Sequence, residues 1–256
     1  MKIACWNVNS IRARLEHVLR WLSESGTDVL LLQETKIEED LFPWVEFEGL
    51  GYRTLAVGER AYNGVAIVSR FPTSEVVRSL PGDPSDEEAR FLQATIDGRL
   101  KLVSCYVPNG VSVGSEKWEY KLAWLRRLRS YLERFTPDDR LLLGGDFNIA
   151  PQDIDCYRPD IWAQSVLCHP SGRAAFDALR QWGLQDLFRS HHAESGRYSW
   201  WDYSPRTFKK NDGLRIDHLL ASPAVARHCT DCDVDTAPRG WTRPSDHTPV
   251  WAVLEL

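Results

Sequence analysis

The sequence has no apolar run long enough to cross a membrane, since none reaches the ~18 residues that a spanning helix needs. Its first ten residues, MKIACWNVNS, are too few and too polar for a secretory signal peptide. Positive charge is also scarce: 36 acidic against 31 basic side chains give a formal charge of −5, which excludes a strongly basic arm. We expect a soluble cytoplasmic protein without a membrane partner. Acting on nucleic acid is still compatible with this charge, because a metal ion neutralises clustered carboxylates.

Motifs for several common chemistries are also missing. The chain contains no P-loop and no GxGxxG, so a P-loop NTPase and a dinucleotide-binding enzyme are not indicated. Its six cysteines include one CxxC, formed by Cys229 and Cys232, without the second pair that a structural zinc site needs. Most of the others lie in apolar segments, where a thiol behaves as a small core residue. We therefore expect free thiols in a reducing compartment.

What the chain does have is an alternation of strand and helix patterns along its 256 residues. Short apolar segments predict strands, helical spacing of apolar residues predicts helices, and Asp-Gly at 97–98 predicts a hairpin. No linker divides the chain, so we predict one α/β domain over residues 1–256, with two packed β-sheets and helices outside. The predicted strands are 2–8, 28–33, 64–69, 91–96, 100–107, 141–147, 198–203, 214–220 and 250–256, and the predicted helices are 11–25, 116–135 and 174–182.

Polar side chains lie at or just beyond many of these strands. A single one is usually a loop cap, but seven together are hard to assign to capping. Asp217 is unusual because it lies inside the apolar segment LRIDHLL, where an ionised carboxylate needs a partner. An imidazole is a suitable partner, because an Asp that orients a His fixes its tautomer and raises its basicity. The seven residues are Asn7, Glu34, Asp146, Asn148, Asp217, Asp246 and His247.

These residue types favour metal-assisted hydrolysis of a phosphate ester. Glu34 and Asp146 offer the oxygen ligands that Mg²⁺ or Mn²⁺ prefers. Asn7 and Asn148 add neutral amides that can orient a ligand, a water or a phosphate without adding charge. Two further side chains stand at the end of another predicted strand and can donate to phosphate oxygens, Tyr106 and Asn109.

Seven segments together resemble the exonuclease III family of abasic-site endonucleases, within the endonuclease/exonuclease/phosphatase superfamily. They are, in order, WNVNSIRARL, LLLQETK, YNGVAIVSR, CYVPNG, GGDFNIAP, GLRIDHLLAS and PSDHTPVWA, and the similarity extends over residues 2–256. The resemblance implies a DNase I-like fold, a four-layer sandwich of two packed mixed β-sheets flanked by helices. It also implies a monomeric enzyme that uses Mg²⁺, with Mn²⁺ as a substitute, on double-stranded DNA with abasic sites or blocked 3′ ends.

The resemblance implies a role for each of these residues. Glu34 would hold the metal with Asn7 beside it, and Asp246 would be a further ligand or a nearby acid. Asp146 would activate or position the attacking water, and Asn148 would orient that water or the scissile phosphate.

The remaining polar residues would act on the phosphate and the leaving group. His247, held by Asp217, would stabilise the phosphorane-like transition state or protonate near the leaving oxygen. Tyr106 and Asn109 would contact the phosphate. Which group is base and which is acid stays open at this point, as does the number of metal ions.

Substrate recognition also follows from the resemblance. The family builds an apolar pocket for a flipped sugar without a base at the positions of Trp200, Leu214 and Ile216. Flipping such a sugar costs little free energy, because no base has to be unstacked or unpaired. Ordinary core packing is the alternative, with Leu214 equally balanced between the two. Arg90 is the best candidate for a DNA phosphate contact, because it precedes the strand after an acidic loop. Other basic residues near these loops are more typical of solvated surface, namely Arg12, Arg14, Lys117, Lys121, Arg206, Lys209 and Lys210.

The segment 155–170 departs from any specific family pattern that we can lay on it. Because it is bulky, a residue such as Leu167 or His169 would hinder a nucleotide lying 3′ of the lesion. The enzyme would then favour 3′-phosphate removal or 3′→5′ trimming over internal incision. The balance between these activities is not set by the sequence.

Two other classes of function share the chemistry or the fold. A phosphatase or phosphodiesterase on small phosphates or lipids would use the same groups, but the segment GLRIDHLL argues against it. A regulator that binds RNA or protein without catalysis is permitted by the fold alone. Such a regulator has no reason to keep all seven of the polar positions, so a metal-dependent DNA-repair phosphodiesterase is the favoured reading.

Overall fold

Two mixed six-stranded sheets form the frame of the protein in the computed structural model, which describes residues 1–204 and 206–256. In spatial order the first sheet consists of β11 (Cys229–Val234), β12 (Val250–Leu254), β1 (Lys2–Asn7), β2 (Val29–Gln33), β4 (Val65–Ser69) and β3 (Arg53–Val57). The second consists of β5 (Thr73–Val77), β6 (Phe91–Ile96), β7 (Leu100–Tyr106), β8 (Leu141–Asp146), β10 (Asp217–Ala221) and β9 (Gln185–Asp186).

The core lies between the sheets, because strand residues from both are fully buried in one apolar cluster that includes Ile3, Leu31 and Leu219. Helices cover the outer faces, which gives four layers. The first sheet is covered by α1 (Ile11–Ser25) and α2 (Trp44–Gly49), and the second by α3 (Glu116–Leu132) and α5 (Pro170–Trp182). Shorter helices are α4 (Pro159–Trp162), α6 (Leu187–His191) and α7 (Pro223–Ala226), with 3₁₀ turns at Glu39–Leu41, Asp153–Asp155 and Ala237–Gly240.

Most of the predicted strands and helices are confirmed, including the hairpin at Asp97 and Gly98, which joins β6 to β7. The predicted strand at 198–203 is wrong. Its Trp200 makes only isolated bridges, to Leu214 and His247, so this segment crosses the end of the sheet instead of joining it. Sequence reasoning also missed β3, β5 and β11, edge strands whose mixed polar residues hide the alternation.

Two expectations from composition can be compared with the structure directly. All six cysteines are free thiols, as predicted. Within the described ranges, no helix is both long enough and apolar enough to cross a membrane.

The topology brings the polar strand ends together. Each sheet contains one parallel pair, β1 with β2 and β7 with β8, flanked by antiparallel neighbours. In the first pair Asn7 lies opposite Gln33, the residue before Glu34. In the second, Tyr106 lies opposite Asp146, and Asp146 in turn lies opposite Asp217 at the start of β10. The predicted site residues therefore meet at one edge of the sandwich, where both parallel pairs end.

Candidate active site

A buried amide joins two carboxylates, one from each sheet. The Asn7 side chain donates to Glu34 Oε1 at 2.8 Å and to Asp146 Oδ2 at 2.9 Å. The other Glu34 oxygen, Oε2, accepts from the Lys36 ammonium at 2.8 Å, and Lys36 also donates to the Asn9 side chain at 2.6 Å. Lys36 and Asn9 were missed as site residues, although they stand within the QETK and WNVN segments that carry the resemblance.

Strained turns aim these side chains into the site. Glu34 and Asn148 follow their strands in the left-handed region, with φ of 49° and 50°. This conformation costs about 1–3 kcal/mol for a residue with a side chain and persists only where the surroundings impose it. Gly145 has a φ of 149°, and a Cβ there would overlap the carbonyl oxygen of Cys105. Gly145, directly before Asp146, is thus needed for the close approach of β8 to β7.

On the other side of Asp146, a buried acid holds a histidine. The His247 Nδ1 lies 2.9 Å and 3.1 Å from the two carboxylate oxygens of Asp217. The Ser199 hydroxyl donates to the same carboxylate at 2.6 Å, which fixes its orientation. With Nδ1 occupied by Asp217, the opposite ring nitrogen points to Asp146, and Nε2 lies 3.7 Å from Asp146 Oδ2. The predicted pairing of Asp217 with His247 is present.

The pKa values follow from this arrangement of charges. Burial alone would lower the pKa of His247, but the carboxylates of Asp217 and Asp146 favour the imidazolium and raise that pKa to about 10. Burial, together with the negative charges of Asp217 and Glu34, raises the pKa of Asp146 to about 7, against the opposing influence of His247. A cation beside Asp146 would relieve this repulsion among carboxylates.

An amide relay forms the side of the site nearest α3. The Asn109 side chain donates to Asn148 Oδ1 at 2.9 Å, and the Asn148 amide donates to the Val107 carbonyl at 2.9 Å. Burial and the charges of Glu34 and Asp146 hold the pKa of Tyr106 well above its usual value, so its hydroxyl is a proton donor. Tyr106 and Asn109 line a cavity of about 430 Å³.

Arg90 lies against this cavity, but its charge is already engaged. Its guanidinium lies 4.6 Å from the centre of the Tyr106 ring, and its Nε donates to Glu88 at 2.5 Å. The structure thus shows Arg90 as a support for Tyr106. A direct contact of Arg90 with DNA stays a prediction.

Asp246 lies at the rim of the site, with both carboxylate oxygens in use. Oδ1 accepts from the Asn9 side chain and Oδ2 from the indole nitrogen of Trp200, each at 3.0 Å. It contributes no ligand atom to the cluster that the structure identifies. Of the two predicted roles, the geometry favours a nearby acid that orients Trp200 over a metal ligand.

The carboxylates of Glu34 and Asp146 can hold a divalent cation, and the His247 imidazolium lies beside them without a lone pair to give it. Glu34, Asp146 and His247 each place one ligand atom so that all lie within 4.8 Å of one another. The two carboxylate oxygens suit a hard cation, and a cation there would oppose the influence of burial and of the neighbouring carboxylates on the pKa of Asp146. The residues therefore fit a divalent metal. Asn7 would hold both carboxylates in place for such an ion.

Comparison with known proteins agrees with this geometry. The endonuclease/exonuclease/phosphatase family matches residues 4–247. The chain belongs to this family. It is 33% identical to the exodeoxyribonuclease III of Haemophilus influenzae, over 98% of this chain and 99% of that one.

Solved structures resemble this chain more closely in fold than in sequence. An AP endonuclease from Archaeoglobus fulgidus superposes with a TM-score of 0.97 at 38% identity, covering 100% of both chains. A 3′ phosphatase from Neisseria bound to a product DNA hairpin gives a TM-score of 0.97 at 40% identity, also with 100% coverage of both. The predicted DNase I-like four-layer sandwich is confirmed, as is the recognition of the family.

Beside this family site, the predicted apolar pocket forms a packed cluster. Leu214 and Ile216 have at most 1% of their surface exposed, and Leu167 has 6%. Trp200 packs over them, partly exposed, and its ring meets Trp162 edge-on with centroids 5.9 Å apart. Trp200 is thus the member that a ligand can reach, and Leu214 and Ile216 support it from below. Contact of all three with DNA stays a prediction.

Proposed function

We propose that this protein is a divalent-metal-dependent DNA-repair phosphodiesterase of the exonuclease III type. One observation carries the proposal: two carboxylates from different sheets, Glu34 and Asp146, meet on the Asn7 amide with the His247–Asp217 pair beside them. Mg²⁺ is the metal that two carboxylates and a few waters suit, with Mn²⁺ as a substitute. When bound, the ion would supply Lewis-acid stabilisation of charge on the phosphate oxygens.

The chain's own residues would perform the other steps. Asp146 accepts a proton from the attacking water, or orients that water, at the oxygen that faces His247. The His247 imidazolium stabilises charge on the phosphate or gives a proton to the leaving oxygen. Tyr106 and the amides of Asn109 and Asn148 donate to the remaining phosphate oxygens.

The relatives and the surface charge support DNA as the substrate. One structural relative is an AP endonuclease and another a 3′ phosphatase bound to product DNA, so abasic sites and blocked 3′ ends are the substrates that we propose. A cleft of about 620 Å³ is lined by Arg12, Arg14 and Arg243. It adjoins the site, since Arg14 donates to the backbone carbonyl of Asn9, whose side chain bonds to Asp246. Phosphates in this cleft would fix the duplex without reading its sequence. We propose that the protein acts as a monomer, since one chain supplies every group.

The packed cluster favours trimming of 3′ ends over internal incision. Leu167, Leu214 and Ile216 fill the space beneath Trp200, so a flipped sugar could enter only if they moved. His169 is held away from that space, because its ring caps α5 and meets Trp118 edge-on. Of the two residues that the sequence singled out, Leu167 is therefore the one placed to restrict an internal site.

The first experiment compares two labelled duplexes at low salt with Mg²⁺, one with an internal abasic analogue and one with a 3′-phosphate at a nick. We expect faster release of the 3′-phosphate. Faster incision at the internal site would contradict the preference but keep the phosphodiesterase. No reaction on either duplex, with or without EDTA, would contradict the catalytic proposal and favour a regulator.

Removal of the metal should abolish activity, and weakening its site should raise the Mg²⁺ requirement. After EDTA treatment we expect no turnover, with recovery on adding Mg²⁺ or Mn²⁺. Glu34→Gln removes one charged ligand, so the Mg²⁺ concentration for half-maximal rate should rise about 10–100-fold, as for lost supporting contacts in other metal sites. Glu39→Gln, at an exposed carboxylate paired with Arg78, is the matched control and should not shift it. An equal shift in both variants would argue against a ligand role for Glu34.

Two substitutions of Trp200 should separate stacking from hydrogen bonding. Trp200→Ala removes the exposed ring, and we expect KM for the DNA to rise about 10-fold, because base or sugar stacking on an aromatic ring is worth ~1–3 kcal/mol. Trp200→Phe keeps a ring but loses the bond to Asp246, so a smaller rise is expected. Steady-state kinetics on the 3′-phosphate duplex measures both. If Ala and Phe gave the same KM as the wild type, Trp200 would be a core residue only.

A further inference from the structure

Lys121 lies buried at the junction of three loops on the amide side of the site. Its Nζ donates to the carbonyls of Asn109 at 3.1 Å, Asn148 at 2.8 Å and Val166 at 2.7 Å. The first loop follows β7, the second follows β8, and the third leads into α5. Composition suggested a solvated or DNA-facing lysine here. The structure shows that no part of Lys121 is exposed.

The geometry matches the donor capacity of an ammonium group. It has three N–H bonds and no acceptor, and each bond meets one carbonyl. In the part of the chain that the structure describes, none of these carbonyls accepts another hydrogen bond. Burial lowers the pKa of Lys121 to about 7, against the opposing influence of the Asp146 charge. Loss of the ammonium would leave three backbone acceptors unsatisfied in the interior.

Two of the three carbonyls belong to the residues of the amide relay. The side chain of Asn109 donates to that of Asn148, while the backbones of both residues are held by the same ammonium. The third carbonyl, of Val166, precedes Leu167 in the packed cluster under Trp200. The packing is also tight, since a Cβ at Gly110 would lie 3.2 Å from the Lys121 side chain. A single cation thus fixes the amide relay and the segment below Trp200 relative to one another.

We propose that Lys121 is a positioning residue, which sets the geometry of Asn109 and Asn148 against the scissile phosphate by holding their backbone carbonyls together with that of Val166. The inference rests on the proposed function, because it assigns a consequence to the same site. Lys121 touches neither substrate nor metal in this scheme. Its effect on the reaction passes through the two asparagines.

The central test compares Lys121→Met with Arg129→Met. Methionine has a similar length without charge or donors. Arg129 lies on the same helix, partly exposed and paired with Glu133, so its variant controls for loss of a cation on α3. We expect K121M to lower the single-turnover rate on the 3′-phosphate duplex about 10–100-fold, since a displacement of about 1 Å has costs of that order. KM should change less than about threefold, and R129M should match the wild type.

A double variant distinguishes positioning from general weakening of the fold. If Lys121 acts through Asn148, the double variant K121M/N148A should be less than about threefold slower than N148A alone. Rate losses that multiply would overturn the proposal. So would an unchanged rate in K121M, or a loss that only follows the unfolded fraction in a thermal melt. If K121M does not melt cooperatively, K121Q replaces it, because its amide can still donate to two of the carbonyls, and an intermediate loss is then expected.

Hydrogen exchange gives a readout that does not need activity. The Asn148 amide donates to Asp146 Oδ1, and the Ala150 amide donates to the Leu167 carbonyl, so both report on these loops. In K121M we expect both to exchange at least about tenfold faster than in R129M, with core strands unchanged. Unchanged protection would overturn the role of Lys121 even if the wild type is active. An inactive wild type with this exchange pattern would instead contradict the proposed function alone.

Discussion

Replacing Asp146 with Asn should abolish turnover while leaving the fold and DNA binding intact. Asp146 is buried, and its oxygens face the Asn7 amide, the His247 ring and the Asn148 backbone at once. Asparagine has the same shape but cannot carry the negative charge that a divalent cation and an attacking water both require. We expect a loss of at least about 10³-fold in the single-turnover rate, the order found when a central catalytic group is removed.

The control for Asp146→Asn is Asp138→Asn, an exposed carboxylate in the loop between α3 and β8, before the end of β8 that is opposite to Asp146. DNA affinity should be measured at fixed, low salt, because phosphate contacts make it depend strongly on ionic strength. We expect unchanged or tighter binding for Asp146→Asn, since removing a charge near the scissile phosphate reduces repulsion. A variant that binds and turns over like the wild type would show that Asp146 is not catalytic and would favour a regulator on the same fold.

The site residues could be predicted from sequence because they sit where apolar strands stop. Asn7, Glu34 and Asp146 follow buried segments directly, and parallel pairing brings such ends to one edge of each sheet. Asp217 stood out because an acid inside an apolar run needs a partner, and His247 is that partner in the structure. These inferences need only burial and charge.

Two predictions were wrong for the same physical reason: the structure of the segment 198–203 and the burial of Lys121 both depend on contacts with distant parts of the chain. The segment at 198–203 has the composition of a strand. Its Trp200, however, makes only isolated bridges, to Leu214 just before β10 and to His247, and these do not extend into a ladder. The sequence predicts an exposed Lys121, because its three acceptors lie in loops 12 to 45 residues away in the chain. No local pattern encodes such a contact.

Arg215 shows the same limit within a well-recognised motif. The segment GLRIDHLL argued against a phosphatase on small phosphates or lipids, and Leu214 and Ile216 within it were predicted to line the substrate pocket. In the structure Arg215 points the other way, fully buried, where its guanidinium bonds to Asp155 and Asp186. These ion pairs hold the start of β10, and with it Asp217, against the loop at Asp153–Asp155. Part of the motif therefore positions Asp217, the partner of His247, and is itself buried.

Replacing His247 with Ala should cost about 10²–10⁴-fold in turnover, the range typical for loss of a positioned acid or base. The pKa of His247 is raised to about 10 by Asp217 and Asp146, so the imidazolium is the form present at neutral pH. As the pH rises through that pKa the proton is lost, and the rate should fall with it. We therefore expect a rate that declines on the alkaline side. His191→Ala, at an exposed histidine, is the control and should leave the profile unchanged.

Asp217→Asn should then move the alkaline decline to lower pH. The carboxylate stabilises the imidazolium, so its removal lowers the pKa of His247, and less of the charged form remains at a given pH. We expect a shift of at least about one pH unit, since a buried opposite charge is worth ~1–3 units, together with a loss of at least about 10-fold at neutral pH. Measured pH–rate profiles of the wild type and the variant decide this. A profile that keeps its alkaline limb in place while the rate falls would mean that Asp217 only orients the ring, and that the proton on His247 is not the one that the reaction uses.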